Sequence, residues 1–341
     1  MTGSYDAVLL LSFGGPEGPE DVLPFLENVV RGRGVPAARL AAVAEHYLHF
    51  GGVSPINGQN RALLAALRED FTAHGIDAPL YWGNRNWHPM LADTLRQMRD
   101  DGVKRALAFA TSAYSSYSSC RQYRDDLDVA RDELGADAPE VEKLRHFYDH
   151  PGFVEPHIDA VRAALETVGR QNTRLVFTAH SIPVSMNAGS GPEGGLYVAQ
   201  LRKVAALVCA AVAPELEWDL VWQSRSGPPQ VPWLEPDVND HLRTLAKEGT
   251  AGVVVSPIGF VSDHLEVVWD LDNEAAETAA SVGLAFARAA TPGTDPRFVS
   301  MVRELVVERL YASSSGRRLT PWDATGPTCL PGCCPVPTRP R

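Results

Sequence analysis

Residues 174–183 read RLVFTAHSIP. An apolar, β-branched-rich run carries the chain into His180 and Ser181, and Pro183 blocks an early helix. Read as a strand, this stretch sets the pattern for the rest of the chain. Short apolar runs of the same kind predict strands near Ala7–Phe13, Pro79–Gly83, Arg105–Ala110 and Val141–Phe147. A second set follows near Arg174–Ala179, Asp219–Gln223, Gly252–Pro257 and Gly283–Arg288. Helical patterns fill gaps such as Asn57–His74, Pro89–Asp100, Ser119–Leu134 and Val154–Val168. Strand–helix alternation implies parallel sheets covered by helices on both faces. Four strands and then four more predict two similar α/β halves, residues 1–150 and 151–312. The segment 313–341, rich in Ser, Gly, Pro and Cys, reads as an extension and not a third domain.

In open parallel sheets the ligand site lies beyond the carboxyl ends of the strands. The segments SFGGPEGPED (12–21), TSAYSSYSSC (111–120), TAHSIP (178–183), QSRSGPPQ (223–230) and IGFVSDHLE (258–266) each start where a strand ends. Residues from both halves are therefore expected to face one cleft.

With 341 residues, 45% hydrophobic and 21% charged, the chain can bury a sizeable core. Its net charge of -11 argues against a general nucleic-acid binder, which needs a basic face to replace counterions. An anionic ligand would have to be met by local arginines. The apolar run before Gly14 is too short for a signal peptide or a membrane span, and a cytoplasmic protein is expected. Five cysteines is an odd number, and three crowd into CLPGCCP (329–335), which favours metal over disulfides.

His180, at the lip of a strand, can act as a general base, since imidazole titrates near pH 6.5. The competing reading is a hydrogen-bonded structural histidine. No G-x-S-x-G elbow surrounds Ser181, so a serine hydrolase is disfavoured. In LEVVWDLDNEAAE (265–277), Glu266, Asp270 and Glu274 fall on one helical face, where like charges four apart repel. With His264 just before them, three readings stay open: a solvated face, a path for a divalent metal, or an acid/base pair. The loop 12–21 lacks both G-x-G-x-x-G and a G-K-[ST] ending, so nucleotide binding is disfavoured. Arg31 and Arg33, set among glycines, are either a basic surface loop or a clamp for carboxylates. Cys209, within LVCAAVA, reads as core. Cys120, Cys329, Cys333 and Cys334 remain as a four-thiolate iron–sulfur candidate.

Taken in order, LLSFGGPEGPEDV, HFGGVSPIN, YWGNRNWHP, TAHSIP, VWQSRSGPPQVPWLEPDV and PIGFVSDHLEVVWDLD resemble the ferrochelatase family over nearly the whole chain. That resemblance implies a chelatase-superfamily fold, two Rossmann-like halves around a porphyrin cleft, in a monomer. It implies insertion of Fe2+ into a porphyrin, with coproporphyrin III and coprohaem suggested by likeness to the actinobacterial branch. Protoporphyrin IX, a cobalt or sirohydrochlorin chelatase, and a non-catalytic porphyrin or iron–sulfur sensor are the alternatives. Carried onto this chain, the family role makes His180 the proton acceptor or metal ligand, with Glu266, oriented by His264, opposite it. Asp270 and Glu274 extend the metal path away from Glu266. Phe13, Arg31, Arg33, Ser54 and Tyr123 fall in regions that meet the macrocycle. Many coproporphyrin enzymes carry a tyrosine where this chain has Phe13, so ligation of product iron there does not carry over. Some members hold a [2Fe–2S] cluster, here matched to Cys120, Cys329, Cys333 and Cys334. Transient contact with coprohaem decarboxylase follows from the pathway, and no nucleic-acid partner or transmembrane segment is expected.

Overall fold

A computed structural model of the protein describes residues 5–32, 34–311, 316–321 and 332–337. Among the described residues eight strands form two four-stranded sheets: β1 (Ala7–Ser12), β2 (Leu80–Asn84), β3 (Arg105–Ala110) and β4 (Glu140–Lys143), then β5 (Thr173–His180), β6 (Trp218–Gln223), β7 (Gly252–Ser256) and β8 (Ala285–Arg288). Their orders, β2-β1-β3-β4 and β6-β5-β7-β8, are the same arrangement twice, and every pair is parallel. Helices cover both faces, which is why β1 is buried along its whole length and reads as a continuous apolar run. The fourth strand stops at Lys143, short of the expected Phe147. Leu144, Phe147 and Tyr148 instead turn into the core.

One buried cluster runs through both halves. Phe109 stacks on Phe147 at 5.0 Å, and Phe153 and Phe298 close over them. Phe298 belongs to the Pro296–Leu310 helix, which follows the last strand yet packs against both Pro151–Val168 and Pro55–Ala73. The last helix of the second half thus covers the first. Beyond it, Leu319 donates its amide to the Asp149 carbonyl at 2.8 Å, and Arg318 pairs with the buried Asp149 carboxylate at 2.7 Å. Among the described residues no helix is long and apolar enough to cross a membrane.

Candidate active site

In the second sheet β5 lies between β6 and β7, and the connections leave β5 in opposite directions on its two sides. The β5/β7 boundary is therefore the switch point, where parallel α/β sheets open a crevice. β5 ends on His180, one residue beyond the predicted strand. β7 leads through Pro257–Asp263 into a helix beginning at Leu265. β6 ends at Gln223, and Ser224 follows with φ 58. Three adjacent strand ends thus deliver His180, Glu266 and a pair of hydrogen-bond donors to one place.

The His180 Nδ1–H donates to the Ser181 carbonyl at 2.5 Å, which leaves Nε2 unprotonated and facing the cleft. Tyr197 holds the turn by donating its hydroxyl to the His180 carbonyl at 2.9 Å. Nε2 stands 3.8 Å from Glu266 Oε2. The two are therefore side by side and not opposed across a ring, since a flat macrocycle cannot enter a 3.8 Å gap. The expectation that Glu266 lies opposite His180 is corrected on this point. Its cause is sheet order: the neighbours β5 and β7 place both groups on one wall.

His264 acts on the helix and not on the carboxyl directly. Its Nδ1 accepts the Val267 amide at 3.3 Å, capping the helix that carries Glu266. The first half reinforces this turn. Ser54 Oγ accepts from the Leu265 amide at 3.3 Å, and Gln59 Oε1 from the Asp263 amide at 2.8 Å. After Leu265–Val267 the helix widens into a π segment, Val268–Ala275, before resuming over Ala276–Ser281. A π turn takes about 4.4 residues, so positions four apart still lie about one turn apart and the acid row stays on one side. Asp270 Oδ2 accepts from Gln223 Nε2 at 3.2 Å and from the Ser224 hydroxyl.

Burial raises Glu266 to about 7. It raises Asp270 to about 7 as well, with the charges of Glu266 and Glu274 adding and the Ser224 hydrogen bond opposing. Burial lowers His180, against the Ser181 carbonyl and Asp270, and takes His264 down to about 3. The side chains of His180 and Glu266 keep 35% and 42% of their surface accessible. Desolvation here comes from walls around groups that water still reaches, and it favours neutral His180 and partly protonated Glu266. Two carboxyls near pH 7 beside a neutral imidazole suit proton exchange and transient cation binding. Among the described residues no three His, Cys, Asp or Glu side chains are gathered into a metal cage. The expected quartet of His180, Glu266, Asp270 and Glu274 is thus a row and not a closed site.

Beside this turn the first half contributes an apolar cluster that includes Leu265. Phe13, just past β1, meets Phe25 edge-on at 6.3 Å, and both join a cluster with Tyr47, Trp87 and Leu265. Tyr47, which the sequence reading missed, lies near enough to Glu266 and Asp270 for their charges to raise it further than burial alone. Arg85 was also missed. Its guanidinium stands 5.8 Å over the Phe13 ring and 4.6 Å over the Tyr123 ring, beside Asp126. The cation in YWGNRNWHP was the available signal. Tyr123 is buried under Arg85, and Ser54 is buried with its hydroxyl on Leu265. Arg31 is exposed after the Val22–Val29 helix, and Arg33 lies outside the described residues. Trp269 lies flat on His46 at 4.0 Å.

Three of the four expected cluster cysteines are buried: Cys120, in a π turn Tyr117–Arg121, with Cys333 and Cys334. Cys329 lies outside the described residues. None of the three is disulfide-bonded. The Gly191 amide donates to Cys334 Sγ at 3.2 Å, and the two tail sulfurs are 3.7 Å apart. Burial pushes Cys334 up to about 12, with Cys333 and Cys120 adding to it. A cavity of about 540 Å³ opens beside Cys333, lined by the glycine-rich 188–194 loop. Cys209 is core, as expected.

Paired parallel α/β halves with an imidazole–carboxylate pair at a switch point place the chain in the chelatase fold class. SirB from Bacillus subtilis with Fe3+ superposes with a TM-score of 0.52 at 13% identity, covering 91% of this chain and 98% of that one. The cobalt complex of the sirohydrochlorin chelatase SirB from Bacillus subtilis subspecies spizizenii gives 0.51 at 11%, covering 92% and 99%. These are likenesses of fold. The chain belongs to the ferrochelatase family, whose profile matches residues 5–310. It is 57% identical to the coproporphyrin III ferrochelatase of Nocardia farcinica, over 98% of both chains. Identity to the protein of that name from Streptomyces griseus subsp. griseus is 55%, covering 97% and 94%. For the one from Mycolicibacterium smegmatis it is 54%, covering 97% and 99%.

Proposed function

We propose that this protein inserts Fe2+ into coproporphyrin III to form coprohaem. Relatives of that name, 54–57% identical across nearly the full length, support the substrate. The observation that carries the chemistry is the His180–Glu266 pair, 3.8 Å apart on one wall of the cleft. A porphyrin takes up Fe2+ only as its two pyrrole N–H protons leave. His180, neutral and with Nδ1–H tied to the Ser181 carbonyl, offers the Nε2 lone pair to a pyrrole proton or to the arriving iron. Glu266 takes the second proton, or holds the metal while water leaves it. Asp270 and Glu274 bring iron toward that pair, since carboxylates attract a hydrated divalent cation and imidazole suits Fe2+ as a borderline ligand. Phe13 supplies an apolar surface and no donor atom. Arg31 and Arg33 meet the propionates, and Ser54 and Tyr123 support the wall behind the ring.

The buried thiols supply the donor chemistry of a [2Fe–2S] cluster, although the described ones are not gathered into a cage. Sulfur donors from Cys120, Cys333 and Cys334, with Cys329, would hold it, and the Gly191 amide already donates to one sulfur. Such a group supplies redox and iron-responsive chemistry when bound, and iron insertion is not routed through it.

The test is His180→Ala. Iron insertion under anaerobic conditions should fall to background while coproporphyrin III still binds, as read by its absorbance. Near-normal turnover would overturn the assignment.

A further inference from the structure

We infer that Arg288 is a positioning residue that keeps the acidic helix in its π form; the inference deepens the iron-insertion reading and rests on it. Arg288 is the last residue of β8, on the edge beside β7. Its guanidinium forks to two carboxylates on either side of the residues that face the cleft. Nη1 and Nη2 donate to Asp263 at 3.2 and 3.1 Å, ahead of His264. Nε and Nη2 donate to Asp272 at 2.5 and 3.0 Å, inside the π segment. Asp263 is fixed on its other side, since its amide donates to Gln59. The span carrying His264, Glu266 and Asp270 is thus tied at both ends to one rigid strand terminus.

A π segment is rare and is mostly a single turn, so the eight residues Val268–Ala275 need support from outside their own backbone. Each residue advances about 82° there, against about 100° in an α-helix. Relaxation to an α-helix would rotate Asp270 by about 50° and Glu274 by about 120° relative to Glu266. The acids would still share one side, but Asp270 would leave Ser224 and Gln223, which fix it beside His180. Arginine is required because its planar fork can serve two carboxylates at once, which a lysine ammonium does less well.

Three variants test this: Arg288→Gln, Asp272→Asn and Asp272→Glu. In the first two, the KM for Fe2+ should rise about tenfold while the KM for coproporphyrin III stays within about twofold. Amide hydrogen exchange over 268–275 should speed up, with the β5 and β7 amides unchanged. Asp272→Glu keeps a carboxylate in reach and should restore most of the iron KM. Asp272 is the most exposed member of the triad, with 38% of its side chain accessible, so its variants read the same effect if Arg288→Gln does not fold. An unchanged iron KM, or equal changes in both KM values, would overturn the inference. Wild-type protein that inserts no iron would instead overturn the functional reading, and the exchange measurement would still decide the clamp.

Discussion

Asp270→Asn should stabilise the protein at pH 8 and weaken iron delivery. Burial and neighbouring carboxylates hold Asp270 at about 7, against 3.8 for the free group, a difference net of the Ser224 hydrogen bond. At about 1.4 kcal/mol per unit, three units would amount to about 4 kcal/mol. Cleft water screens much of this, leaving about 1–2 kcal/mol. The sign follows from proton linkage. A carboxyl whose folded pKa is raised binds its proton more tightly folded than unfolded, so its penalty is absent below 3.8, grows through the interval, and is complete above about 7. Asparagine removes the penalty, so the melting temperature should rise by about 1–3 °C at pH 8. The gain should be smaller at pH 5 and disappear below about pH 4. Thermal melts of both proteins at these pH values measure it directly. A variant less stable than wild type at pH 8, or a gain equal at pH 5 and 8, would refute the claim that Asp270 is a desolvated, costly charge kept for function.

Glu266→Gln should cut kcat/KM for iron by about a hundredfold. The wild-type rate should climb as pH rises through about 7, where Glu266 and Asp270 ionise as a coupled pair, and that rise should flatten in the variant. Protein prepared anaerobically with ample iron should be brown, and Cys334→Ser should lose the visible absorption; a colourless wild-type preparation would contradict the cluster. Phe298→Ala should cost about 3–5 kcal/mol, because Phe298 is wholly buried. Denaturant unfolding should remain a single transition, since that cluster spans both halves; two separate transitions would contradict a shared core.

Strand positions were legible because β-branched apolar runs with turn residues between them are local signals. β1, β3 and β6 lie within a residue or so of where the runs end. His180 was legible for the same reason, since it stands where such a run stops. The side-by-side placement of His180 and Glu266 was not legible, because it depends on β5 and β7 being neighbours, and strand order is a tertiary property. The π segment also escaped, since residues four apart share a side in both windings. Ser54 illustrates a third limit. It stands at a helix start before Pro55, where a cap is expected, yet its hydroxyl serves Leu265 of the other half. The packing of the Pro296–Leu310 helix on the first half is of the same kind, since only the folded core reveals it.

Iron insertion into coproporphyrin III at the His180–Glu266 wall can be measured directly. The direct measurement supplies purified protein with Fe2+ under anaerobic conditions and compares coproporphyrin III, protoporphyrin IX and sirohydrochlorin by the loss of metal-free porphyrin absorbance. Coproporphyrin III should be converted fastest, to coprohaem, with that activity lost in His180→Ala. Preference for sirohydrochlorin, or no insertion into any of the three, would contradict it.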